Sequence, residues 1–75
     1  MAIVSVVVEI EENSIEQVLP ELGKIPNISV FGVKDNQIVT VIEGETLVSV
    51  NDIIKKLSDL ERVTGVYPVY AGEHA

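Results

Sequence analysis

Hydrophobic positions along this chain switch between two periods. Val4, Val6, Val7, Val8 and Ile10 form a β-branched run that predicts a strand. Ser14 with Gln17 three residues later has the form of a capping box, so a helix is expected to begin there. Ile15, Val18, Leu19, Leu22 and Ile25 then recur at helical spacing. Pro20 interrupts that helix and is expected to kink or shorten it, and Pro26 ends it. Residues 28–34 and 38–43 predict two further strands joined tightly through Asp35-Asn36-Gln37 as a hairpin. Ser49 with Asp52 predicts a second capped helix, with Val50, Ile53, Ile54, Leu57 and Leu60 on one face, and residues 64–71 predict a last strand.

The order is β-α-β-β-α-β, and its halves repeat. A shift of 35 maps Ile3, Val4, Val6 and Val7 onto Ile38, Val39, Val41 and Ile42, and Ser14 onto Ser49. After the helices the shift becomes 38, with Ile28 onto Val66. Two βαβ halves with right-handed crossovers predict a ferredoxin-like α+β sandwich. It has a four-stranded antiparallel sheet in order 4-1-3-2 with both helices on one face. Pro68 suits an edge strand, where a missing N–H donor is tolerated. The expectation is one domain over residues 1–75, ending in a short polar tail.

The helices cover one side of the sheet, so the other side meets water or a partner. Alternation along the first strand places Ile3, Ser5, Val7 and Glu9 outward. By the repeat, Ile38, Thr40 and Ile42 also point outward, and Val39, Val41 and Glu43 inward. On the edge strands Ser29, Phe31 and Val33 face out, as do Tyr67, Val69 and Ala71. That face is more apolar than a solvated sheet requires, which marks an interface. Glu9, Glu11 and Glu12 leave the first strand and Glu43 and Glu45 the third, and the repeat places both exits at one end of the sheet. An apolar face with an acidic rim suits a peptide with basic residues beside an apolar stretch. Homodimerisation through the sheet and a solvated loop cluster are the competing readings.

Composition narrows the chemistry. Among 75 residues, 12 are acidic and 5 are Lys or Arg, giving a net charge of −7. Phosphate binding needs a basic face, so nucleic acid is not the expected partner. Without Cys there is no disulfide, thiolate metal site or Cys nucleophile. His74 stands alone in the tail, the serines lack a neighbouring base, and the glycines form no phosphate cradle. Tyr67 and Tyr70 alternate in direction, which offers no single stacking platform. Neither an enzyme nor a cofactor or metal site is expected. The apolar start lacks a basic n-region and is followed at once by glutamates. A cleaved signal, a membrane span of roughly 20 apolar residues and membrane insertion are therefore not expected, and a cytoplasmic protein is.

Four stretches resemble the NapD family, the cytoplasmic chaperones of the periplasmic nitrate reductase. They are Val4-Ser5-Val6-Val7-Val8, residues 22–30 with Gly23-Lys24-Ile25-Pro26, residues 38–45 ending Glu43-Gly44-Glu45, and Val63-Thr64-Gly65-Val66 with Val69-Tyr70. Two departures stand out: Asn27 follows Pro26 where the family carries Gly, and Ala71 replaces a His after the final Tyr. The resemblance implies binding of the twin-arginine signal peptide of a molybdenum-containing nitrate reductase subunit, delaying export until the cofactor is loaded. The face assignment made above offers a compatible mechanism, with the peptide's apolar stretch lying across Ile3, Val7, Phe31, Ile38 and Ile42, beside Ser5, Thr40, Tyr67 and Val69. Glu9, Glu43 or Glu45 would meet the arginines. A second resemblance is to ACT domains and Lrp-type effector domains, which share the element order and a final Gly-Val turn. That reading implies a dimeric, amino-acid-binding regulatory module. A copper chaperone of the same fold is excluded by the missing Cys-x-x-Cys. On this face assignment Ile38→Asp abolishes peptide binding and spares the fold, which circular dichroism and calorimetry together check.

Overall fold

The computed structural model describes residues 1–73; His74 and Ala75, with the tail position expected for His74, lie outside the described residues. The elements are β1 (Ala2–Ile10), α1 (Ile15–Gly23), β2 (Ile28–Lys34), β3 (Gln37–Gly44), α2 (Leu47–Ser58) and β4 (Val63–Glu73). The sheet is antiparallel with order β2-β3-β1-β4, so β1 and β3 are central and β2 and β4 are edges. This is the ferredoxin-like arrangement expected, and Pro68 lies in an edge strand.

β1 alternates without a break: Ala2, Val4, Val6, Val8 and Ile10 are buried, and the residues between them are half-exposed. Val18 and Leu22 of α1 and Val50, Ile53 and Leu57 of α2 join this buried set to form the core. Ile15, Ile25, Ile54 and Leu60 pack around it, while Leu19 reaches solvent. Pro20 stands within α1, which runs for nine residues against twelve in α2. Proline has no N–H to offer the preceding turn, and that weakens the middle of so short a helix.

β3 departs from the expected faces. Val4 pairs with Ile42, Val6 with Thr40 and Val8 with Ile38, and directly paired residues share a face. Ile38, Thr40 and Ile42 are each 0% exposed. Their assignment to the open face is therefore corrected: they are core. The cause is the parity of the repeat. The cap of α2 is Thr46, whose Oγ1 accepts the Ser49 N–H at 3.1 Å, and Ser49 is an early helical residue instead of the cap. Aligning Ser14 with Thr46 gives a shift of 32, which maps Val6, Val8 and Ile10 onto Ile38, Thr40 and Ile42. An odd shift such as 35 turns every strand residue to the wrong side. At α1 the cap position is as expected, but the Ser14 hydroxyl donates to the Glu11 carbonyl at 2.6 Å instead of closing a capping box.

Non-glycine residues with left-handed φ mark the connections: Asn13 (60°), Asn27 (68°), Asp35 (54°) and Arg62 (76°). Asn tolerates this region better than most residues. Asn27 therefore meets the same backbone demand that a glycine would. Its carbonyl accepts the Glu43 N–H at 3.0 Å, fastening the start of β2 to β3.

Two substitutions test the core. The Thr40 hydroxyl is buried with no hydrogen-bond partner among the described residues. Thr40→Val removes that desolvated group at nearly constant shape, so stability rises by about 1 kcal/mol in urea unfolding. Ile38→Asp places a carboxylate in the core and costs about 4 kcal/mol or more, comparable with the whole stability of a small domain. A folded Ile38→Asp protein would return this strand to the opposite register.

Candidate functional site

The face of the sheet away from the helices can be read in four paired rows. The first joins Gly72, Ile3 and Glu43, and the second Tyr70, Ser5, Val41 and Ser29. The third joins Tyr67, Val7, Val39 and Gly32, and the fourth Gly65, Glu9, Gln37 and Lys34. Its middle is apolar. Val39 is 44% exposed, and Ile3, Val7 and Val41 are half-buried. A folded strand leaves such side chains in water only where nothing in its own chain covers them, so this is a surface suited to an apolar partner.

The face keeps part of the sequence-based set and exchanges the rest. Ile3, Ser5, Val7, Glu9 and Tyr67 stand on it. Glu43, expected inward, pairs with Ile3 and is exposed on it. Glu45 lies just beyond the end of β3. Val39 and Val41 take the places that had been given to Ile38, Thr40 and Ile42. Val33 pairs with Ile38 and so belongs to the helix-side register of the edge strand. The outward placement of the Ala71 side chain lies outside the described residues.

Two bulges account for the remaining differences. In β2 the register slips between Val30 and Gly32, leaving Phe31 unpaired and 72% exposed. In β4 it slips between Pro68 and Tyr70, leaving Val69 unpaired and exposed. An extra residue inverts the alternation beyond it. Tyr67 pairs with Val7 and Tyr70 with Ser5, so both rings stand on the open face, contrary to strict alternation. Each ring lies over a glycine. A Cβ on Gly65 would come 2.5 Å from the Tyr67 hydroxyl, and one on Gly72 would come 2.6 Å from that of Tyr70. An aromatic side chain laid over a strand glycine restores the packing that the missing side chain forfeits. Tyr67 leans toward the start of β4 and Tyr70 toward its end, and both remain more than half exposed.

The carboxylates lie at two ends, not one. β1 and β3 are antiparallel, which puts Glu9 opposite Gln37 and Glu43 opposite Ile3. Six residues of strand separate these rows, about 20 Å. At the Glu43 end a hollow is lined by Met1, Asn27, Glu43, Gly44 and Glu45. At the Glu9 end two hollows adjoin. Glu9 and Gln37 line one, Glu12, Asn13 and Ile15 the other, and Ile10, Asp35 and Asn36 belong to both. Among the described residues no group of three or more His, Cys, Asp or Glu is arranged to hold a metal ion. Among the same residues no helix is long and apolar enough to cross a membrane.

The family model described as NapD protein matches residues 1–74. No curated protein matches the chain. Among solved structures the chain is similar to the solution structure of the E. coli Tat proofreading chaperone protein NapD. It is 23% identical over 96% of this chain and 78% of that one, with a TM-score of 0.85. That likeness establishes the shared fold.

The neighbours Ile38 and Val39 now separate core from face. Val39→Asp leaves the protein folded with stability changed by less than about 1 kcal/mol, because its side chain already meets water. A two-state urea curve checks this. A loss as large as that expected for Ile38→Asp would mean that Val39 is covered.

Proposed function

This chain belongs to the NapD family, and we propose that it works in the cytoplasm as a chaperone for a twin-arginine signal peptide. The partner is the catalytic, molybdenum-containing subunit of a periplasmic nitrate reductase, whose export is delayed until its cofactor is loaded. The observation that carries this reading is the open sheet face, an apolar centre with carboxylates beyond both ends.

A twin-arginine signal has two adjacent cations next to a moderately apolar stretch. Covering Ile3, Val7, Val39, Val41 and the two tyrosine rings removes apolar surface from water at roughly 25 cal/mol per Å², before the cost of ordering the peptide. Carboxylates at the rim add charge-assisted hydrogen bonds to guanidinium groups, and these orient the peptide and speed its arrival. The net charge of −7 attracts a cationic peptide over a longer range. No reacting group is needed, because the task is to occupy the signal. Release then requires only dissociation, which suits an interface of modest area.

Isothermal calorimetry tests the reading. A twin-arginine peptide from such a subunit is expected to bind saturably at 1:1, with affinity about tenfold weaker when both arginines are lysines, since lysine lacks the bidentate fork. Val39→Asp is expected to weaken binding more than tenfold while remaining folded. Heat from free amino acids and none from the peptide would favour the amino-acid-binding module.

A further inference from the structure

We propose that Gly65 and Gly72 are positioning residues for the bound peptide. Each leaves out a side chain so that a tyrosine can lie down along β4, and the two rings together form a preset aromatic border to the open face. This inference rests on the peptide-binding reading and adds to it two residues that act only through Tyr67 and Tyr70.

A glycine inside a strand weakens it, having no side chain to pack and the most conformational freedom to lose. β4 carries two. The backbone does not demand them, because no glycine among the described residues has a positive φ. Both spaces are filled from the same strand. The atoms nearest to a Cβ at Gly65 are the Tyr67 hydroxyl at 2.5 Å, Cζ at 2.7 Å and Cε2 at 2.8 Å. At Gly72 they are the Tyr70 hydroxyl at 2.6 Å and Cε2 and Cζ at 3.1 Å. The other glycines hold no ring: Gly23 and Gly32 have nothing within 4 Å, and Gly44 faces Val50 and Ser49. In each β4 pair the glycine and tyrosine are two residues apart, the spacing that puts both on one side of a strand.

The rings do little for the core. Tyr67 is 53% exposed and Tyr70 58%, and neither belongs to the buried cluster. Their place is at the surface. Gly65 pairs with Glu9 and Gly72 with Ile3, so the two hydroxyls lie over rows six residues apart in β1, about 20 Å. Between those rows the tyrosines pair with Val7 and Ser5. A peptide covering Ile3, Val7, Val39 and Val41 therefore meets aromatic side chains along the β4 side of the face. Tyrosine offers a large contact area with few torsions to freeze, and a ring already seated on its glycine has less freedom still to lose on binding. A Cβ at Gly65 would displace the ring and not the strand, because the ring is the exposed end of a side chain while β4 is held by its pairing to β1. The ring then loses its preset place and the fold keeps its own.

A double-mutant cycle in calorimetric binding of the twin-arginine peptide tests the role. Gly65→Ala is expected to weaken binding about fivefold or more, with a urea midpoint close to that of the unaltered protein. In a Tyr67→Ala background the same substitution is expected to change affinity less than about twofold, because the ring it acts through is gone. Gly72→Ala, with and without Tyr70→Ala, repeats the cycle at the second pair if one alanine variant fails to fold. Unchanged affinity in the folded alanine variants, or an equal loss with and without the tyrosine, would overturn the positioning role and leave peptide binding standing. A lower urea midpoint with unchanged affinity would likewise overturn it, by showing that the pairs serve only the strand. Failure of both alanine variants to fold would do the same. Absence of any binding by the unaltered protein would instead remove the chaperone reading itself.

Discussion

The pairing of β1 with β3 is the constraint on which the rest depends. A strand has two sides, so the match of Val4, Val6 and Val8 with Ile42, Thr40 and Ile38 decides every other placement. It turns Val4, Val6, Val8, Ile38 and Ile42 toward the helices and leaves Ile3, Val7, Val39 and Val41 on the other surface. A chain of this size has little core to spare, and all twelve buried apolar side chains among the described residues come from the two central strands and the inner stripes of the helices. The open face is therefore the reverse side of the same central ladder that stabilises the fold.

That shared ladder explains why the edges carry the irregularities. Bulges at Phe31 and Val69 lie in β2 and β4, where an unpaired residue disturbs one neighbour instead of two. They also blunt the free edges against strand addition by another chain, a role that Pro68 shares in β4. The bulge in β4 has a second effect, bringing Tyr70 to the same side as Tyr67. One extra residue thus serves both to protect an edge and to line the open face with aromatic side chains.

Much of this architecture was legible in the amino-acid pattern. The alternation of β1, the inner stripes of both helices and the element order follow from period and capping, which are local. What was not legible depended on parity and on insertions. Ser49 satisfies the form of a cap as well as Thr46 does, and choosing it turned Ile38, Thr40 and Ile42 outward. The antiparallel course of β1 and β3 separated the glutamates that the repeat had grouped. Gly32 and Pro68 each adjoin a bulge, but both residues also suit an edge strand without one, so Val69 and Tyr70 exchanged roles unseen. Asp35 was hidden for another reason: as a turn residue it is explained by its φ, and only the fold sets it beside Glu9 and Glu12.

The placement of the tyrosines has an optical consequence. The chain contains no tryptophan, and its two tyrosines both stand on the open face, each resting on a glycine. Its near-ultraviolet absorption and emission therefore arise almost wholly from the surface at which a partner is expected, with none from the core. The protein carries a chromophore pair confined to one side of its sheet, silent to repacking among the helices and responsive to whatever settles over the strands.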